Sequence, residues 1–214
     1  MIADHQVKHI HSTHEGDDLI AYMARVSNPK NQDNTATAPK LIKYLIKHKH
    51  WSPFEMVSMC VEIETTRSVA AQILRHRSFS FQEFSQRYAE VTDEPSVPDL
   101  RRQDTKNRQN SIDNLNEFDI QQFQMQIRQH HDTSMWLYKQ MLAAGVAKEC
   151  ARDVLPLSSK TKLYMHGTLR SWLTYCDLRS AHGTQLEHQV IAKQCKELIS
   201  LYFPKCYAAM WVSP

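Results

Sequence analysis

The stretch RHRSFSFQEFSQR, Arg75 to Arg87, packs three guanidiniums, an imidazole and several hydroxyls into thirteen residues. A guanidinium presents planar, paired donors that match phosphate oxygens two at a time, and it stays charged at any working pH. Serine hydroxyls and backbone N–H groups can complete such a cradle. The segment therefore reads as a site for a phosphorylated, nucleotide-like ligand. Three further arginines stand in apolar surroundings: Arg152 in ARDVLPL, Arg170 in TLRSW and Arg179 in CDLRS. One such arginine alone reads as a stem covering apolar surface. Six together read as an anion site.

The alternatives to a side-chain cradle are few. With only four glycines (Gly16, Gly145, Gly167, Gly183), neither a G-x-G-x-x-G turn nor a Walker loop can be written. The pairs His9-x-His11 and His48-x-His50 resemble metal pairs, but no carboxylate-rich partner pattern accompanies them, and an i, i+2 pair converges only on a strand. No metal is expected. His50 differs because it precedes the turn WSPFE, where a ring can stack or hydrogen-bond.

The elements that must position these residues follow from periodicity. Leu19, Ile20, Met23 and Val26 predict a helix over 17–27 behind an aspartate cap, and Asn28 to Thr37 reads as a loop. Pro39 opens a second helix carried by Leu41, Ile42, Leu45 and Ile46 as far as about His48, with the break at WSPF, where Pro53 pushes Ser52 out of helical geometry. Val57, Met59, Val61 and Ile63 alternate as on a half-buried strand. Thr65 or Thr66 caps the next helix, leaving Arg75 to Arg77 at or beyond its end and Gln72 on the same face as Arg75. Residues 93–118 form a polar surface excursion. A long helix from Asp119 to Ala144 is expected on Ile120, Phe123, Ile127, Leu137 and Met141, then a short helix from Ala147, a strand over 160–166, and helices over 168–178 and 184–202 closed by Pro204. Helices with a few strands and no strict βαβ alternation predict an α+β fold with a small mixed or antiparallel sheet.

Composition sets the outer limits. A chain of 214 residues with 42% hydrophobic and 23% charged residues suits a single catalytic domain, 1–214. No run reaches the ~20 apolar residues of a membrane span, and MIADHQVKHIHSTHEG has no apolar core of a leader peptide. Five cysteines without a C-x-x-C pair suit reduced thiols in a cytoplasmic setting. A net charge of +3 is too small for a general nucleic-acid coat.

Arg75-His76-Arg77, seven residues and Ser85 resemble the signature of flavin-dependent thymidylate synthases. ARVS at Ala24, H-x-S-P-F-E at His50, Q-x-x-R at Gln72, ARDVLPL around Arg152 and the block from Leu169 to Arg179 follow the family in the same order. The resemblance spans most of the chain apart from the excursion. It implies an α+β homotetramer with shared sites that binds FAD. Its reaction converts dUMP to dTMP, with 5,10-methylenetetrahydrofolate as carbon donor and NADPH as reductant.

Carried over by position, the resemblance assigns Ser52, Arg75, His76, Arg77, Glu83, Thr168, Leu169, Arg170 and Thr174 to the flavin, with His50 at its folate-facing side. To the nucleotide it assigns Gln72, Ile73, Leu74, Arg75, Glu83, Phe84, Ser85, Gln86, Arg87, Arg152 and Arg179. The chain departs from the family's commoner residues at Gln82, Gln86, Thr168 and Thr174, which alters individual hydrogen bonds and leaves the charged framework in place.

The chemistry fits that assignment. Uracil becomes nucleophilic at C5 when charge developing at N3 and the carbonyls is stabilised, and Arg179 is the residue expected to do so. It serves as an electrostatic stabiliser, since a neutral guanidine base is costly. Arg87, Ser85 and Arg75 are expected to hold the phosphate, with no cysteine nucleophile. The rival reading is a phosphodiester-processing or RNA-binding module, with Arg75-His76-Arg77 on phosphate and Tyr88 and Phe81 stacking bases.

Overall fold

The computed structural model describes residues 4–212, so the first three residues of the stretch read for a leader lie outside it. Four strands form one antiparallel sheet in the order β1-β2-β6-β3: β1 Gln6–Ser12, β2 Ser58–Thr66, β3 Ser80–Glu83 and β6 Lys160–Thr168. β2 and β6 pair along their whole length, from Ser58 opposite Thr168 to Thr66 opposite Lys160. β3 is a short edge strand, Ser80 opposite His166 and Glu83 opposite Leu163. The α+β fold with a small antiparallel sheet is as the sequence predicts.

The sheet is two-faced, and its strands alternate accordingly. Met59, Val61, Ile63, Leu163 and Met165 face a core shared with helices α1 Gly16–Ala24, α2 Ala38–Lys47, α3 Arg67–Ile73, α6 Leu169–Arg179, α7 Leu186–Tyr202 and α8 Pro204–Trp211. The opposite face carries Glu62, Glu64, Lys162 and Tyr164, where Lys162 pairs with Glu62 at 3.2 Å and Glu64 at 2.9 Å. At Gly167 the sheet admits no side chain: a Cβ there would stand 2.4 Å from the Phe79 ring. Phe79 in turn meets Trp172 edge-on, with ring centroids 4.8 Å apart. This close approach fixes where the Arg75 to Arg77 loop descends onto the sheet.

A second, smaller cluster of Val91, Tyr138 and Ala151 joins the long helix α4 Glu117–Ala143 to the short helix α5 Lys148–Ala151 and the 3-10 turn Arg152–Val154. Tyr138 accepts the Val91 N–H at 3.1 Å, which ties the loop after Arg87 to this unit. Among the described residues, no helix is long and apolar enough to cross a membrane.

Several expectations need correction. Asp17 does not cap α1, whose cap residue is Glu15 in the left-handed region (φ 50°). Asp17 instead accepts the N–H groups of Lys205 at 2.6 Å and Cys206 at 3.1 Å, capping α8 from across the structure. Pro204 opens α8 rather than closing the fold, since a missing N–H costs nothing in a first helical turn. The α1 stripe stops short: the helix ends at Ala24, and Val26 is exposed. In α4 the buried residues are His131, Ser134, Met135 and Tyr138, while Phe123 and Leu137 are exposed. β1, β3 and a two-stranded hairpin, β4 Arg102–Gln103 with β5 Ser111–Ile112 inside the excursion, escape a periodicity reading because they are short or edge strands. β1 also carries a bulge between His9 and His11, which breaks strict alternation.

Candidate active site

The structure gathers the predicted residues into separate groups. In the first, α3 ends at Ile73, so Gln72 is its last turn and Arg75 lies beyond the helix instead of sharing its face. The chain then turns so that His76 meets the C-terminal end of α6. Arg179 donates its Nε–H to His76 Nε2 at 2.9 Å. The His76 ring lies edge-on to Tyr175 with centroids 4.9 Å apart. Burial, reinforced by the Arg179 charge, lowers the His76 pKa; because Nε2 accepts the Arg179 N–H, the ring proton belongs on Nδ1.

Behind this pair runs a buried polar chain that the sequence reading missed. His188 is fully buried; its Nδ1 contacts Gln72 Oε1 at 3.4 Å and its Nε2 the Tyr175 hydroxyl at 3.0 Å. Burial, with the nearby Arg179 charge and His76 adding to it, pushes its pKa down to about 3. The signal was available: His188 stands on the buried stripe of α7 with Ile191, Cys195 and Ile199, at helical spacing. A histidine on an apolar stripe must find partners, and here it does.

The second group lies where the chain approaches the N-terminal end of β6. Glu83 accepts from Arg67 at 3.2 Å and from the Thr161 hydroxyl at 2.9 Å. Gln86 is buried, and its Nε2 has no hydrogen-bond partner among the described residues. It lines a cleft of about 260 Å³ together with Arg67 and Arg152. Arg152 is only loosely paired, with Asp153 at 3.9 Å. A buried amide donor left open in a cleft with the loosely paired Arg152 is chemistry that suits an anion, while Arg67 is already paired with Glu83. Beside it Ser85 and Arg87 line another cleft, where Arg87 pairs with Glu149 at 2.9 Å.

The remaining residues sit near the start of α6. Thr168 caps that helix, accepting the Ser171 N–H at 3.4 Å, and the Thr174 hydroxyl donates to Arg170 O at 3.0 Å. Arg170 pairs with Glu55, at the end of the 3-10 turn that Ser52 opens. His50 is exposed just after α2, its ring edge-on to Tyr44 at 6.0 Å. Leu169 is buried in the core, as is Ile73, whereas Leu74 and Phe84 are exposed. Arg75 and Arg77 are exposed and make no hydrogen bond or ion pair among the described residues. No hydrogen bond or ion pair among the described residues joins the Arg179 group to the Arg152 group.

Residues 8–205 match the family model described as thymidylate synthase complementing protein. A probable flavin-dependent thymidylate synthase of Paramecium bursaria Chlorella virus 1 is 50% identical over 204 residues, covering 95% of this chain and 94% of that protein. The chain belongs to the flavin-dependent thymidylate synthase family. A flavin-dependent thymidylate synthase from Synechocystis is 48% identical over 192 residues, 90% of this chain and 88% of that one. Among solved structures, the UMP/dUMP methylase PolB of Streptomyces cacaoi with 5-Br dUMP superposes with a TM-score of 0.88. It is 28% identical and covers 99% of this chain and 98% of its own. As a flavin-dependent thymidylate synthase family member the chain is an enzyme, a methyltransferase, and its helices and antiparallel sheet are those of the family's fold.

Proposed function

We propose that the chain, as a single catalytic domain, methylates dUMP to dTMP reductively, with 5,10-methylenetetrahydrofolate as carbon donor and NADPH as reductant. The observation that carries this reading is the cleft lined by Arg152, Arg67 and Gln86, whose buried Nε2 has no hydrogen-bond partner among the described residues. With family membership, it supports a bound nucleotide anion.

Arg87, Ser85 and Arg75 hold the nucleotide phosphate with Arg152 beside them, while Gln72 and Arg179 face its base. Arg179 stabilises negative charge developing on the uracil ring, and neutral His76 keeps the guanidinium oriented without competing for its charge. The donor set of Arg75, Arg77 and Arg170, with Ser52, His50, Thr168 and Thr174, suits FAD, whose pyrophosphate needs cations, and no acid among the described residues pairs with Arg75 or Arg77. Bound FAD supplies redox chemistry that no side chain can. Glu83 bridges the two sites.

A homotetramer with sites shared between protomers is part of this reading. The N-terminal half of α4, with exposed Phe118, Phe123 and Met125, is an apolar surface of the kind such an assembly covers. A cytoplasmic location suits this activity and the unpaired cysteines.

The test is the visible spectrum of purified protein before and after anaerobic NADPH, with and without dUMP, followed by assay for dTMP. Yellow protein that bleaches with NADPH and makes dTMP is expected. Colourless protein with strong, salt-dependent RNA binding would overturn the reading.

A further inference from the structure

Residues 93–118 have no part in the chemistry above, yet they enter a polar chain that runs from the buried Glu187 through the exposed Gln185 to Gln72. Arg101, at the head of the β4–β5 hairpin, donates through Nη2 to both carboxylate oxygens of Glu187, at 2.7 and 3.0 Å. The two side chains are 14% and 12% exposed, so this is an interior pair. The Ser111 hydroxyl accepts from Arg101 Nε at 3.0 Å, fastening the guanidinium to the hairpin's other strand. Glu187 also accepts from Gln185 Nε2 at 2.9 Å, and Gln185 Oε1 accepts from Gln72 Nε2 at 2.5 Å.

The order of these contacts fixes their polarity. A carboxylate only accepts, so Gln185 must turn its NH₂ toward Glu187 and its carbonyl toward Gln72. Gln72 must then turn its NH₂ toward Gln185 and its carbonyl toward His188. His188 in consequence donates from Nδ1 and accepts the Tyr175 hydroxyl at Nε2. Every donor from Tyr175 onward points along the chain to Glu187, and Arg101 neutralises the charge at its end. Without Arg101 the carboxylate would be buried unpaired, a condition that proteins relieve by protonation or by local opening.

We propose that Arg101 is a positioning residue for the nucleotide site: through Glu187 and Gln185 it sets the amide orientation of Gln72, and thereby the donor Gln72 presents to the pyrimidine. The polar excursion is the arm that delivers it. This rests on the reading of Gln72 as a nucleotide contact.

The test compares Arg101→Met, Arg101→Lys and Glu187→Gln in flavin-loaded full-length enzyme. Arg101→Met and Glu187→Gln each raise KM for dUMP about tenfold, with kcat within about twofold and flavin content unchanged. Arg101→Lys, which keeps the charge, restores KM to within about threefold. In a Gln72→Ala background, Arg101→Met adds no further rise in KM. Equal rises with and without Gln72, or an unchanged KM in Arg101→Met, would overturn the proposal.

Hydrogen exchange supplies a readout that needs no substrate. Arg101→Met is expected to speed exchange in the segments holding Gln72 and Gln185, and loosening confined to 93–118 would count against the proposal. Should Arg101→Met fail to fold, Glu187→Gln carries both comparisons alone. Wild-type enzyme that makes no dTMP would sink the functional reading, whereas the exchange result would still decide whether Arg101 orders Gln72.

Discussion

Arg179 and His76, 103 positions apart, share one hydrogen bond in which the guanidinium donates to the imidazole Nε2 at 2.9 Å. The direction matters chemically. A neutral acceptor holds Arg179 without neutralising it, so its full charge remains for the ligand. A carboxylate in the same place would have spent that charge on an ion pair.

Arg179→Ala is therefore expected to lower kcat by about 10²–10³, the loss typical when one preorganised charge-stabilising donor is removed. Flavin absorbance should persist. Full turnover by this variant would remove Arg179 from the mechanism. Anaerobic titration of the variant with NADPH would show separately that flavin reduction survives.

Arg87→Ala is expected to raise KM for dUMP with little change in melting temperature. Arg87 and Glu149 form an exposed pair, and such pairs contribute about 0–1 kcal/mol to stability. Binding of deoxyuridine, which lacks the phosphate, should be nearly indifferent to the substitution. If deoxyuridine and dUMP suffer equally, Arg87 does not hold phosphate.

Acid stability should report on His188. Its folded pKa of about 3 lies below the ordinary value of 6.5, so the native ring stays neutral where the unfolded ring takes up a proton. Above pH 6.5 both states are neutral and the group contributes no pH dependence. Between pH 6.5 and about 3 it costs roughly 1.4 kcal/mol of stability per pH unit, as the unfolded state binds the extra proton. Denaturant titrations at several pH values should give a slope shallower by up to one proton in His188→Gln. An identical slope would mean that His188 titrates normally.

The thiols offer a further check. Cys176, Cys195 and Cys206 are fully buried, and burial raises all three pKa values well above the ordinary thiol range, so none is a thiolate at neutral pH. Cys150 is exposed. Iodoacetamide should label native protein at Cys150 foremost, and Cys150→Ser should retain turnover. Loss of dTMP formation in that variant would point to a thiol nucleophile.

Gly167→Ala tests how the loop bearing His76 is seated. The added methyl would meet Phe79 at 2.4 Å, and Phe79 is hemmed in by Trp172 and Tyr175 at 4.8 and 5.8 Å between centroids. Overpacking of this kind costs about 1–3 kcal/mol, read as a lower denaturation midpoint. Phe79→Leu in the same chain should recover part of it.

What the sequence by itself determined was local chemistry and local period. The density of donors from Arg75 to Arg87 reads as an anion site from residue types alone, and alternation from Val57 to Ile63 marked β2, because a face that is buried must repeat at the period of its element. Helices α2, α6 and α7 were legible for the same reason. Edge strands β1 and β3 were not, since one is bulged and the other is four residues long.

Tertiary structure decided the partnerships. Asp17 reads as a cap for the helix it stands in, yet it caps α8; His188, which the sequence reading passed over, joins Tyr175 to Gln72. Residue type states that a buried polar group needs a partner, but the partner lies at a distance in sequence that only chain folding closes. The same holds for the arginines. Their charge was plain from the residues, and their partners, His76 for Arg179 and Asp153 for Arg152, came from the folded chain.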